Sequence, residues 1–138
     1  MGFKKERLKK EGAKMDRTKI LIIEDEENFT KLIKLNLEKT GKYEVKTENK
    51  GALGFIVARE FKPALILLDV MMPGVDGGDV CNQLENEKDT KDIPIVFLTA
   101  VVNEEEIKEN NGIIGGHPFI AKPVDIEKLI DVIEKNSC

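Results

Sequence analysis

Short apolar runs alternate with amphipathic stretches along this chain. Ile20-Leu21-Ile22-Ile23, Leu65-Ile66-Leu67-Leu68 and Ile95-Val96-Phe97-Leu98 are each uninterrupted by a polar residue. Runs of this length bounded by turn residues predict strands covered on both faces, as in a parallel sheet. Tyr43 to Thr47 alternates weakly and predicts an edge strand, and Phe119-Ile120-Ala121 predicts a brief last strand that stops at Lys122-Pro123. The intervening segments carry helical spacing. Phe29, Leu32, Ile33 and Leu37 mark a first helix, with Asn28 or Asp25 as its cap and Gly41 as its stop. Ala52, Leu53, Ile56 and Val57 mark a second, which ends near Phe61 before Pro63, and Val80, Cys81 and Leu84 mark a third after Gly77-Gly78. Glu104 to Asn110 predicts a short fourth helix, and Ile126, Leu129, Ile130 and Ile133 line one face of a last one. Five strands alternating with five helices predict an α/β fold, with right-handed crossovers and a parallel sheet between helical layers.

Composition narrows the class. A length of 138 residues fits one domain with a substantial core. No apolar run approaches the roughly 18 residues needed to cross a membrane, and the start lacks the apolar segment of a signal peptide. A cytoplasmic protein with no membrane partner is the expectation. Cys81 and Cys138 are the only cysteines and His117 the only histidine, so neither zinc chemistry nor a disulfide framework is expected. His117, placed by its sequence in a loop before Pro118, is not expected to donate phosphate. Residues 1–17 carry a balance of +4 within a chain of net charge −4, so the remainder carries −8. The leader reads as a basic, mobile extension and residues 18–138 as the domain. The acidic body argues against direct nucleic-acid binding.

The candidate chemistry lies where strands end. The first strand ends in Glu24-Asp25, the third in Asp69, the fourth in Thr99 and the fifth in Lys122. A parallel sheet brings its carboxyl ends to one edge, where ligands of open α/β sheets bind. Three carboxylates gathered there repel one another and call for a cation. Oxygen ligands without a nearby His or Cys favour Mg²⁺. A divalent ion with a lysine and a hydroxyl would bind a phosphoryl group, and a carboxylate beside the ion can be its nucleophile.

The pieces Ile-Leu-Ile-Ile-Glu-Asp-Glu, Leu-Leu-Asp-Val-Met-Met-Pro-Gly-Val-Asp-Gly, Phe-Leu-Thr-Ala and Ala-Lys-Pro together resemble the receiver domain of bacterial two-component response regulators, over roughly residues 18–136. The resemblance implies a flavodoxin-like (βα)5 fold with strand order 2-1-3-4-5. It implies Asp69 as phosphoacceptor, and Mg²⁺ held by Asp25, Asp69 and the Met71 backbone carbonyl with support from Glu24. It implies Lys122 as the partner of Asp69, Thr99 as the switch hydroxyl, Phe119 as the switch aromatic and a cis Lys122-Pro123 bond. Met71 and Val101 would flank the phosphoryl group, and their lack of hydrogen-bonding groups implies slow loss of the acyl phosphate. A sensor histidine kinase or phosphotransfer protein would be the donor. With no output domain expected in the chain, the signal would pass to a downstream protein partner or a homodimer. Two readings compete: a docking scaffold with a receiver fold but no phosphorylation, and a Mg²⁺-dependent phosphohydrolase using an aspartyl phosphate, for which the chain offers no length for a cap domain.

Overall fold

The computed structural model describes residues 16–100, 113–114 and 116–137. Five parallel strands run as β1 (Thr18–Ile23), β2 (Tyr43–Glu48), β3 (Leu65–Asp69), β4 (Ile95–Thr99) and β5 (His117–Ala121). Their spatial order is β2-β1-β3-β4-β5, and β5 carries on its outer edge an antiparallel two-residue strand, Ile113–Ile114. The parallel order agrees with the expectation, while the added edge strand was not foreseen. Among the described residues four α-helices connect or follow the strands: α1 (Glu27–Lys39), α2 (Gly54–Phe61), α3 (Gly77–Asn86) and α4 (Ile126–Asn136). The helix expected over Glu104 to Asn110 lies outside the described residues.

The strands are apolar on both faces because both faces are covered. Ile20, Ile22, Leu65 and Leu67 point to the side closed by Ile33 and Leu37 of α1 and by Leu129 and Ile133 of α4. Leu21, Ile23, Ile66 and Leu68 point to the other, closed by Ala58 of α2 and by Val80, Cys81 and Leu84 of α3. Every residue of β3 is buried, so the one carboxylate in that strand, Asp69, is held by a rigid central element.

Three local expectations are corrected. Glu26 occupies the start of α1 and makes no side-chain cap, so neither Asn28 nor Asp25 caps it. Within α1 and α2, Leu32 and Ile56 are exposed, and the core faces are Thr30, Ile33 and Leu37 in one helix and Gly54 and Ala58 in the other. Small residues serve α2 because it lies close to the sheet: a Cβ on Gly54 would stand 2.8 Å from the Ile23 side chain. His117 opens β5 and is not in a loop.

Candidate phosphoacceptor site

Parallel pairing fixes the site before any side chain meets another. Ile23 lies beside Leu68, Asp69 beside Leu98, and Thr99 beside Ala121. The residues that follow β1 and β5 and those that end β3 and β4 therefore share one edge. Backbone bonds extend the alignment past the strands. The Lys122 N–H donates to the Thr99 carbonyl at 2.8 Å, and the Val70 N–H donates to the Leu98 carbonyl at 3.0 Å. The Lys122-Pro123 bond is cis.

Glu24 is fully buried, Asp69 is 4% exposed and Asp25 lies at the surface beside them. One carboxylate oxygen from each lies within 4.8 Å of the other two. The Lys122 ammonium pairs with Glu24 Oε1 and stands 3.6 Å from Asp69 Oδ2. The other oxygen of Asp69 accepts from the Met71 N–H at 3.1 Å. Thr99 is buried at the end of β4. Phe119, at 8% exposure, is already inside, in register with Phe97 on β4. Val101 lies outside the described residues, and the Met71 side chain is 64% exposed.

Among the described residues, the carboxyls of this edge and the Lys122 ammonium set its electrostatics. Burial, then contact with the Asp69 carboxyl, pushes Glu24 well above the ordinary carboxyl range, and the bond to Lys122 only partly offsets this. Burial alone would lower Lys122, but the Glu24 hydrogen bond and the surrounding negative charge hold it above its usual value. The two partners thus pull in opposite senses. Both are satisfied when Lys122 stays charged and the carboxyl group of residues shares a proton or meets a cation. Glu24 Oε2 supplies a direct test of fit. It is buried, and among the described residues no group hydrogen-bonds to it. A buried acceptor left bare is costly, and a hard cation or its hydration shell answers it. The donor set, all oxygen, suits Mg²⁺.

Three supporting residues were not foreseen in the site: Phe29 and Gly77 entered only as helix markers or motif positions, and Asn49 not at all. The Asn49 amide donates to the Glu24 carbonyl at 2.8 Å and to Thr30 Oγ1 at 3.1 Å, tying the end of β2 to the acidic turn. Phe29 lies with its ring 4.8 Å from the Lys122 ammonium, a cation–π contact. Gly77 lets the start of α3 touch the chain after β3: its N–H donates to the Val70 carbonyl at 3.0 Å, and a Cβ there would overlap the Asp69 carbonyl and the Val70 backbone.

Comparison with known proteins agrees with the geometry. The family model described as "Response regulator receiver domain" matches residues 20–134. The DNA-binding dual master transcriptional regulator RpaA of Synechocystis is 37% identical over 112 residues, covering 81% of this chain and 46% of that protein. The alkaline phosphatase synthesis transcriptional regulatory protein PhoP of Bacillus subtilis is 41% identical over 106 residues, covering 76% of this chain and 42% of that protein. The chain thus spans just under half the length of these relatives. The fold superposes on chemotaxis protein CheY4 of Vibrio cholerae with a TM-score of 0.74 at 24% identity, covering 87% of this chain and 98% of that one. It superposes on the receiver domain of Klebsiella pneumoniae RstA with a TM-score of 0.72 at 28% identity, covering 86% and 97%. Motifs, fold and matched span converge, and the chain belongs to the response regulator receiver domain family.

Proposed function

We propose that this domain is a phosphorylation switch in which Asp69 accepts a phosphoryl group from a histidine kinase or phosphotransfer protein. The observation that carries the reading is the setting of Asp69. One oxygen is tethered to the Met71 N–H, the other faces Lys122, and two further carboxyls stand within reach of a shared cation. An Asp69 oxygen attacks phosphorus, and the bond from phosphorus to the donor imidazole nitrogen breaks. The electron pair leaves on that nitrogen, and because the ring's other nitrogen carries a proton in the reacting phosphohistidine, the donor is left as neutral histidine. Lys122 faces the incoming negative charge, and the Thr99 hydroxyl donates to a phosphoryl oxygen once it arrives. Glu24, Asp25, Asp69 and the Met71 carbonyl would hold Mg²⁺, which supplies charge neutralisation for the transferring group.

The product adds a negative group to an edge that already holds three carboxyls. Thr99 and Lys122 then bias the two-state element that reports the change, with Phe119 as the aromatic that follows Thr99. The output surface passes the signal to a protein partner or to a second copy of the domain. The acidic body favours neither nucleic acid nor an anionic membrane, and among the described residues no helix is long and apolar enough to cross a membrane.

The test is incubation with a small phosphodonor and Mg²⁺, read by intact mass. One phosphoryl per chain is expected, lost in Asp69→Asn and retained in Thr99→Ala. Undiminished labelling of Asp69→Asn would defeat the assignment. No labelling under any donor would favour a docking scaffold, and turnover of an external phosphate ester would favour a hydrolase.

A further inference from the structure

Away from the phosphoacceptor edge, three side chains of different chemistry meet between α3 and β5. Cys81 and Glu85 lie one turn apart on α3, and His117 opens β5. Cys81 Sγ is 3.6 Å from His117 Nε2 and 2.9 Å from Glu85 Oε1, and His117 Nε2 is 2.7 Å from the same Glu85 oxygen. We propose that Cys81, Glu85 and His117 form a transition-metal site selective for Zn²⁺, with one coordination position left to water.

The geometry supports the ion in detail. Tetrahedral zinc with thiolate at about 2.3 Å and imidazole at about 2.0–2.1 Å sets those two atoms roughly 3.6 Å apart. Sulfur and nitrogen already stand at that separation. The carboxylate oxygen is closer to both than a shared ion allows, and must withdraw by roughly 0.7 Å to give tetrahedral spacing. Glu85 can make that adjustment because its side chain is 45% exposed. The two less mobile ligands are the ones already in place. Cys81 is buried in the core of α3, and the His117 ring meets Phe97 edge-on with centroids 5.7 Å apart. His117 is 22% exposed, so an ion can enter from solvent.

The donor set decides the metal. Thiolate with imidazole and one carboxylate suits Zn²⁺ and excludes Mg²⁺ and Ca²⁺, which take oxygen. Binding releases the Cys81 thiol proton to water and uses the Nε2 lone pair, leaving the ring proton on Nδ1. The acidic edge at Glu24, Asp25 and Asp69 has the opposite preference, so the domain would hold a hard cation at one place and a borderline one at another. No short ligand spacing marks this site in the sequence, because His117 lies 36 residues after Cys81.

The test is Co²⁺ titration of the full chain carrying Cys138→Ser, with excess Mg²⁺ present to fill the carboxylate edge. A thiolate-to-cobalt absorption band saturating at one equivalent and displaced by Zn²⁺ is expected. It should vanish in Cys81→Ser and in His117→Asn, and Glu85→Gln should weaken binding by no less than the roughly tenfold that outer-shell partners typically cost. Zn²⁺ should raise the thermal midpoint of the parent and leave that of His117→Asn unchanged. Absence of the band overturns the proposal. So does a band or a thermal shift that survives His117→Asn, since that marks a bare thiol adduct or binding elsewhere.

Discussion

Glu24 is a residue whose ionisation the fold resists. Its pKa rises from the ordinary 4.5 to about 8, first through burial and then through the Asp69 carboxyl beside it. Between those values the native state binds a proton that the unfolded chain has released. The stabilising effect is therefore complete below the unfolded value and is lost as pH rises through the folded one. In chelator, thermal stability attributable to this group should fall as pH climbs from about 4.5 to about 8. Mg²⁺ should offset the fall at the alkaline end, and Glu24→Gln should flatten it. Differential scanning calorimetry across that range checks all three, and a rise in Glu24-dependent stability with pH would contradict the burial argument. Met71, two residues after Asp69, bears on the lifetime of the product. Met71 offers no strong hydrogen-bonding group to a water in line with phosphorus, and neither does Val101 by its chemistry. The acyl phosphate should therefore persist longer in the wild type than in Met71→Asn with Val101→Glu, followed by intact mass. Asp69, Thr99 and Lys122 were legible in sequence because each closes an apolar run. Asn49 was not, because an amide after a weak edge strand looks like any polar turn until the strand is paired.

At the scale of elements, the start of α3 is the contact that most tightly constrains the acceptor. A methyl on Gly77 has nowhere to go but into the Asp69 carbonyl and the Val70 backbone. Gly77→Ala should shift the end of β3, slow phosphorylation and destabilise the domain, whereas Gly78→Ala, which meets only the Asp76 side chain, should be far milder. Labelling rate and melting point compared between the two variants provide the check. The last helix offers a simpler case. The Asp125 carboxylate accepts from the N–H groups of Glu127 and Lys128, so Asp125→Ala should cost about 1 kcal/mol in a denaturant melt without altering the acceptor site. Periodicity located α1, α2 and α3; in α1 it found Ile33 and Leu37 but added the exposed Leu32, and in α2 it chose the wrong face. Leu32 and Ile56 fit an apolar stripe by spacing, but α2 comes near enough to the sheet that glycine and alanine fill the contact, and in α1 Thr30 is buried where its hydroxyl can bond to the Glu27 carbonyl at 3.0 Å and accept from Asn49. Distance between layers is a tertiary quantity, and no one-dimensional pattern contains it.

For the molecule as a whole, two cores share one sheet. Leu67 belongs to the side of α1 and α4, and Leu84 to the side of α2 and α3, each fully buried. Leu67→Ala and Leu84→Ala should each cost about 2–5 kcal/mol. Because the same strands carry both cores, either truncation should lower a single cooperative transition and not split it in two, as coincident melts by circular dichroism and fluorescence from an introduced probe would show. The layered parallel architecture was legible because uninterrupted apolar runs have few other uses, while the two-residue strand at Ile113–Ile114 was hidden by the glycines around it. The pairing of Lys122 with Glu24 joins residues 98 positions apart. A ribosome makes a protein from its amino end, so Glu24, Asp25 and Asp69 all emerge before the Lys122 ammonium beside them. A nascent chain arrested short of Lys122 carries the three carboxyls without that counter-charge, and on the proposed reading the switch is complete only when the final strand is delivered and docks.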